Sequence, residues 1–327
     1  PLLPVLYWQE ERIRKKYFYL SRKEMRTLII GYGSIGMHHA RILKGLSCPV
    51  SVLSRREINF QPCYSSLSTA MQSEQFDYVV IANETAKHYE LFCELRKNGF
   101  RGLVLIEKPA FSSVEEIQKN SFEGVFIAYN LRFHPVIQKL RKILKNEEII
   151  SVQAYVGKYL PEWRPQTNYR SSYSARQEKG GGVLRDLSHE LDYLNWILGG
   201  WESIAALGGH LSRLEINSDD VFSLMMTTAK CPIVTIQMNY IDRISHREIL
   251  VNTNQHTIKA DLIRGTLQID AATETFEMDK DITYQRQHLA ILNRQFDLLC
   301  SLEEGIEVVR MIEAAEQAAT ARVWVNK

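Results

Sequence analysis

Lys108 is placed by its neighbours to do chemistry. It stands in Glu107-Lys108-Pro109, directly after the apolar run Gly102-Leu-Val-Leu-Ile106. That run reads as a buried strand of a parallel sheet. A lysine at the carboxyl end of such a strand faces the crevice where open α/β sheets bind ligands. There its ammonium can stabilise an oxygen that gains negative charge in a transition state. A plain surface lysine after a strand is the structural alternative.

Asp186 and His189 form a second group, in Asp186-Leu-Ser-His189-Glu-Leu-Asp192. Histidine suits transfer of a hydroxyl proton, because its pKa lies near working pH. The pattern predicts a helix over 182–198. Three positions apart on it, Asp186 and His189 share a face. Asp186 can then hold the imidazole or a substrate hydroxyl. A capping aspartate and a satisfied core histidine are the alternative.

The third group is Gly31-Tyr-Gly33-Ser-Ile-Gly36. Gly31 allows a tight turn, Gly33 lets backbone approach a pyrophosphate, and Gly36 lets helix pack on strand. The backbone of Ser34 and Ile35 opens a helix whose N–H groups and dipole attract phosphates. The loop follows an apolar strand and precedes a helix, which is the context a dinucleotide site needs. The second strand ends in Ser54-Arg55-Arg56. An acid there would take the ribose 2′-hydroxyl of NAD, and none is present. The Ser54 hydroxyl and two guanidiniums suit a 2′-phosphate, so NADP(H) is the expected cofactor, with NAD(H) the alternative. Asn83 and Glu107 are placed on the cofactor side of the crevice.

The segment 159–173 mixes aromatics with arginines. Trp163, Arg164, Tyr169 and Arg170 suit a nucleotide-linked or acidic sugar, since aromatic faces stack on sugar rings and arginines clamp phosphates. An ordered loop without ligand contact is nearly as good a reading. Tyr129 and Arg132 stand at a domain junction, as cleft-lining residues or as hinge packing. No metal site is expected. His189-Glu190 lacks H-E-x-x-H spacing, and the adjacent His38 and His39 point apart on a helix. No G-x-S-x-G nucleophile and no P-loop occurs.

These residues need a scaffold. Strands are expected at 26–30, 49–53, 77–82, 102–106 and 124–129, with helices at 34–44, 85–98 and 113–120. That alternation implies a parallel, doubly wound sheet. After residue 130 the pattern changes to a helix at 134–144, a strand at 149–155, the loop at 159–179, the helix over 182–198, and then closely spaced strands from 201 to about 269. These leave no room for crossover helices, so the second sheet is mostly antiparallel. Helices at 284–300 and 302–322 finish the chain. The fold class is α/β, divided into an extension 1–24, a dinucleotide domain 25–129 and a substrate domain 130–327.

Composition excludes several alternatives. The 327 residues suggest about two domains. Lys plus Arg number 40 and Asp plus Glu 38, so net charge +2 gives no pull toward nucleic acid or acidic membranes. No apolar run approaches the roughly 18 residues of a membrane helix. The five scattered cysteines lack a C-x-x-C and fit reduced thiols in a cytosol. The first 24 residues run apolar then basic, the reverse of a signal peptide. They read as a helical extension or as the product of an upstream start.

The ordered set of motifs resembles a known family. It runs from the glycine loop through Ile81-Ala-Asn-Glu-Thr-Ala-Lys-His88, Glu107-Lys-Pro109 and Tyr129-Asn-Leu-Arg-Phe133. It continues with Gly180-Gly-Gly182, His189-Glu-Leu-Asp192 and Ser301-Leu-Glu-Glu-Gly305. It is similar to the glucose-fructose oxidoreductase, inositol dehydrogenase and rhizopine-catabolism group, Gfo/Idh/MocA. The resemblance implies a Rossmann domain and a second domain whose open sheet serves as an oligomer face, in a dimer or tetramer. It implies hydride transfer between a nicotinamide and a hydroxyl-bearing carbon of a sugar or cyclitol. Lys108 falls on the family's catalytic or substrate-orienting cation. Asp186 and His189 fall on its D-x-G-x-H-x-x-D pattern, with one residue fewer before His189, and Asp192 keeps its spacing. Two rival readings remain: a lyase or glycosidase with transient oxidation, and an inactive nucleotide-sensing protein.

Overall fold

The computed structural model describes residues 24–117, 121–163 and 166–327. Residues 1–23 of the extension, the end of the expected helix at 113–120, and Arg164 lie outside these residues.

The first sheet contains β1 (Thr27–Ile30), β2 (Val50–Leu53), β3 (Cys63–Tyr64), β4 (Tyr78–Ile81), β5 (Leu103–Ile106) and β6 (Gly124–Ile127). All are parallel. Their sequences are nearly continuous apolar runs because both faces are covered. Leu28, Ile30, Val79, Ile81, Val104 and Ile106 pack on one side; Ile29, Val80, Leu103 and Leu105 pack on the other. The order places β1 centrally, between β4 and β2, with β4, β5 and β6 running one way and β2, β3 the other. The chain therefore reverses winding beside β1, and the crevice at the strands' carboxyl ends lies at that switch point.

The second sheet holds β7 (Ile149–Gly157), β8 (Trp201–Gly209), β9 (Val221–Thr228), β10 (Cys231–Asn239), β11 (His246–Thr253), β12 (Thr257–Asp261), β13 (Thr266–Ile269) and β14 (Ala272–Thr275). Only the β7–β10 pair is parallel among its described pairs. Alternate residues such as Phe222, Leu224 and Met226 are buried, whereas Ser223 and Met225 are exposed. That is the period-two pattern of a sheet packed on one face.

The two units exchange chain. β15 (Cys300–Ser301) returns to pair antiparallel with β6, while β16 (Val325–Asn326) pairs with β8. The helix Ile282–Leu292 reaches the first sheet, and its His288 meets His39 of the helix Ser34–Gly45. A single cut at residue 130 therefore does not describe how the pieces pack.

Several expected elements differ. Residues 113–117 are irregular, not helical. The helix expected over 182–198 is broken: Val183–Asp186 and His189–Ile197 are separate, with Leu187 and Ser188 between them. The helix expected at 284–300 ends at Leu292. Among the described residues, no helix is long and apolar enough to cross a membrane.

Candidate active site

The glycine loop has the geometry of an anion cradle. Gly31 has φ +98°, and a Cβ there would lie 2.8 Å from the Asn83 nitrogen. At Gly36 a Cβ would come within 2.0 Å of the Gly31 carbonyl oxygen. At Gly33 a Cβ would meet nothing within 4 Å, so that glycine borders open space. The helix Ser34–Gly45 starts there with no side-chain cap and no acid in its first turn. Its leading N–H groups face the crevice.

Two further observations fit a dinucleotide. The Asn83 side-chain oxygen is buried and has no hydrogen-bond partner among the described residues. A buried polar atom left unpaired is costly, and a ligand amide or hydroxyl beside it would satisfy it. Beyond β2, Arg55 and Arg56 are exposed. The Arg56 guanidinium reaches back to the Tyr32 carbonyl at 3.4 Å, which brings it over the glycine loop. Ser54 is buried, and its hydroxyl donates to the Arg56 carbonyl and accepts the Arg56 N–H, both at 3.1 Å. Ser54 thus shapes the turn that presents the arginines, a narrower role than the phosphate contact expected of it.

Lys108, Asp186 and His189 come together. Lys108 Nζ donates to the Asp186 main-chain oxygen at 2.6 Å. The Asp186 carboxylate accepts the Tyr240 hydroxyl at 2.6 Å. Asp186 therefore orients the site through its backbone and is held by Tyr240. Asp186 and His189 lie on separate helices, so the shared helix face expected for them is absent. The His189 ring is buried edge-on to Tyr129, with centroids 5.5 Å apart. Its Nδ1 has no partner among the described residues. Burial holds the imidazole well below its usual pKa, and the charges of Lys108 and Arg247 add to this. The His189 imidazole is thus neutral within the field of the Lys108 ammonium.

The Glu107 side chain is turned inward. Its carboxylate is buried, 2.8 Å from His39 Nε2, and accepts the Lys108 N–H at 3.2 Å. Burial alone would raise this carboxyl. The His39 contact and the Lys108 charge outweigh it and hold the pKa below the usual range.

Most of the expected substrate residues are engaged with protein partners. Tyr129 is fully buried and donates to Ser188 at 3.1 Å. Arg132 and Asp192 bind each other in the core, with Arg132 Nη2 2.6 Å from Asp192 Oδ1. Arg132 also reaches Glu304 at 2.7 Å. Its Nε and Nη2 are turned to Asp192 and its Nη1 to Glu304 and the Leu299 carbonyl, so most of its donors are taken up inside the protein. Tyr169 and Arg170 stack on each other at the surface, where Arg170 pairs with Glu215. Trp163 donates to the Lys158 carbonyl at 3.1 Å and stands edge-on to Tyr240, which ties it to the site.

Sequence reasoning passed over Tyr240, Tyr173 and His88. The Tyr173 hydroxyl lies 2.8 Å from Thr85 Oγ1 and donates to the Gly180 carbonyl, joining the second unit to the loop after β4. His88 lies 3.2 Å from the Asn83 carbonyl and 3.1 Å from that of Ala110, bridging the loops after β4 and β5. His88 and Tyr173 had a sequence signal, as the ends of the 81–88 motif and of the aromatic segment 159–173; Tyr240 had none.

Comparison with known proteins agrees with this fold. The model for an oxidoreductase family with an NAD-binding Rossmann fold matches residues 25–121, and the GFO/IDH/MocA C-terminal domain model matches 137–259. The chain belongs to the GFO/IDH/MocA oxidoreductase family. An uncharacterised oxidoreductase of Synechocystis is 29% identical over 150 residues, 44% of this chain and 40% of that protein. A 2,7-anhydro-N-acetylneuraminate hydratase of Mediterraneibacter gnavus is 24% identical over 225 residues, 65% of this chain and 59% of that protein. These matches span about 40 to 60% of the curated relatives' lengths. A levoglucosan dehydrogenase, solved with NADH and levoglucosan, superposes with TM-score 0.80 at 15% identity, covering 93% of this chain and 99% of that one. At that identity the likeness is one of fold.

Proposed function

We propose that this member of the family is an NADP-preferring oxidoreductase acting on a hydroxyl-bearing carbon of a sugar, sugar derivative or sugar nucleotide. The observation that carries the reading is the meeting of a neutral His189 with the Lys108 ammonium beside an uncapped glycine loop. A bound nicotinamide would supply the hydride acceptor or donor. Gly31, Gly33 and the N–H groups of Ser34, Ile35 and Gly36 would hold its pyrophosphate, Arg55 and Arg56 its 2′-phosphate, and Asn83 a polar group nearer the ring. In the oxidative direction His189 takes the hydroxyl proton, and Lys108 stabilises the developing alkoxide. Asp186 fixes Lys108 through its carbonyl. Trp163, beside Tyr240, offers an apolar wall for a sugar ring.

The hydratase relative favours a second reading, in which the substrate is oxidised transiently and the net reaction is not redox. A sugar and sugar-nucleotide screen with both cofactors separates the two. A lasting change in nicotinamide absorbance supports the dehydrogenase; product without such a change supports the lyase. Fluorescence titration at fixed salt tests the cofactor. NADPH should bind more tightly than NADH, and Arg55→Ala with Arg56→Ala should cost roughly 10- to 100-fold in NADPH affinity, as expected for hydrogen bonds to a charged group. Equal affinities would remove the NADP preference.

We extend the reading to a cytoplasmic homo-oligomer. The outer face of the second sheet exposes Leu207, Met225 and Ile233 on adjacent strands, an apolar surface suited to a second copy. The five cysteines are free thiols, as a reducing compartment permits.

A further inference from the structure

Four buried polar side chains that the proposed reaction does not use form one hydrogen-bonded line. The Tyr78 hydroxyl lies 3.0 Å from His288 Nδ1. His288 Nε2 lies 2.8 Å from His39 Nδ1, and His39 Nε2 lies 2.8 Å from Glu107 Oε1. Tyr78, His39 and His288 are 0% exposed and Glu107 8%. The line ends where Glu107 Oε2 accepts the Lys108 N–H.

The protons have one consistent arrangement with neutral rings. Burial raises the Tyr78 pKa, so its hydroxyl stays a donor and His288 Nδ1 accepts. Burial also keeps His288 neutral. Its one proton then sits on Nε2 and is given to His39 Nδ1. His39 is left with its proton on Nε2, facing the carboxylate. Every donor points toward Glu107, and such chains polarise one another. The Tyr78 end is sealed, so the line is no route for protons to solvent.

A packed core gains nothing from these four groups that apolar residues could not supply. What apolar residues cannot do is hold a carboxylate against the Lys108 backbone. We propose that Tyr78, His288, His39 and Glu107 are positioning residues that fix the turn carrying Lys108 and keep its ammonium on the Asp186 carbonyl. The network draws on β4, the helix Ser34–Gly45, the turn after β5 and the helix Ile282–Leu292. It thereby ties placement of the cation to docking of the second unit's returning helix. The proposal rests on Lys108 as the reacting cation.

The test uses the full chain and acetic anhydride as probe. Competitive acetylation of Lys108, read by mass spectrometry against the other lysines, reports whether its amine is held. Glu107→Gln and His39→Leu should raise Lys108 labelling roughly 3- to 10-fold, about the factor one lost hydrogen bond is worth. His39→Gln, whose amide can still donate to Glu107, should restore labelling toward the parent. Tyr78→Phe, which removes only the last hydroxyl, should give a smaller rise and covers the case in which Glu107→Gln does not fold. Ile29→Val, a core change beside the same helix, should lower Tm and leave labelling alone. With a sugar found in the screen, kcat should fall while NADPH affinity holds. Labelling that stays at the parent level in His39→Leu and Tyr78→Phe overturns the proposal and leaves the line as packing. Labelling that rises in a protein turning over no sugar sustains the positioning role and removes the oxidoreductase reading.

Discussion

His189 is a histidine that cannot afford to be charged where it stands. Burial and the charges of Lys108 and Arg247 all push its pKa down. A base must be unprotonated to accept a hydroxyl proton, and these surroundings keep it so at neutral pH. His189→Asn keeps part of the shape and loses the titration. Turnover should drop by roughly 10²- to 10⁴-fold, the range of a lost general base. The acid limb of the pH–rate profile, which lies below the usual histidine pKa, should disappear, while NADPH affinity stays unchanged. An acid limb that persists in His189→Asn would move proton transfer elsewhere. Tyr240→Phe is a milder probe. It frees the Asp186 carboxylate while leaving the Lys108 contact to the Asp186 carbonyl in place. KM and kcat should change by less than in His189→Asn, as assays of both with one sugar would show.

At the scale of elements, what the sequence made legible was local. The glycine spacing, the apolar strands and the lysine after β5 all announce themselves within a few residues. The parallel strands read clearly because burial on both faces leaves an unbroken apolar run. Arg132 shows what was hidden. It read equally as a cleft-lining residue or as hinge packing, and its guanidinium is forked onto Asp192 and joined to Glu304 from the helix Leu302–Ala321. Those partners come from distant segments, and no local period connects them. The His39–His288 contact spans 249 positions and depends on the chain's return to the first sheet. The break between Asp186 and His189 was missed because residues 182–198 have an acceptable helical pattern; the one-residue shortening there was the available signal. Removing one partner of a buried pair strands the other charge. Arg132→Met should therefore cost about 3–5 kcal/mol in urea unfolding. Adding Asp192→Leu should recover most of that loss, because no buried carboxylate is then left bare; Glu304 is part exposed and still accepts the Ser301 N–H. A double variant no more stable than the single one would mean that the pair is valued for geometry rather than for charge balance.

Across the whole molecule, the folded chain keeps His88, His134, His189 and His288 neutral in its interior. Burial lowers all four, and His134 falls to about 4. His134 illustrates why. Its Nδ1 accepts the Val136 N–H at the start of the helix Pro135–Leu144, and its Nε2 lies 3.1 Å from the Leu262 carbonyl. One proton satisfies both contacts, and a second would break the cap. A histidine whose folded pKa is lowered binds its proton more readily in the unfolded chain. Stability should therefore fall as pH drops below about 6.5 and continue falling toward the folded pKa. For His134 alone the full effect is about 3 kcal/mol. Asp219 acts in the opposite sense. Burial pushes its carboxyl up to about 6, so the folded state holds that proton longer, and stability is regained as pH falls through 6. Burial likewise raises Glu190 and Asp192. Urea midpoints should therefore be level near neutrality, turn down at about pH 6.5, and decline less steeply below 6 as the acids offset the histidines. His134→Asn, which can still cap the helix, should remove part of the decline. A midpoint that stays constant through pH 6.5, or a decline identical in His134→Asn, would show that these rings take up their protons without opening the fold.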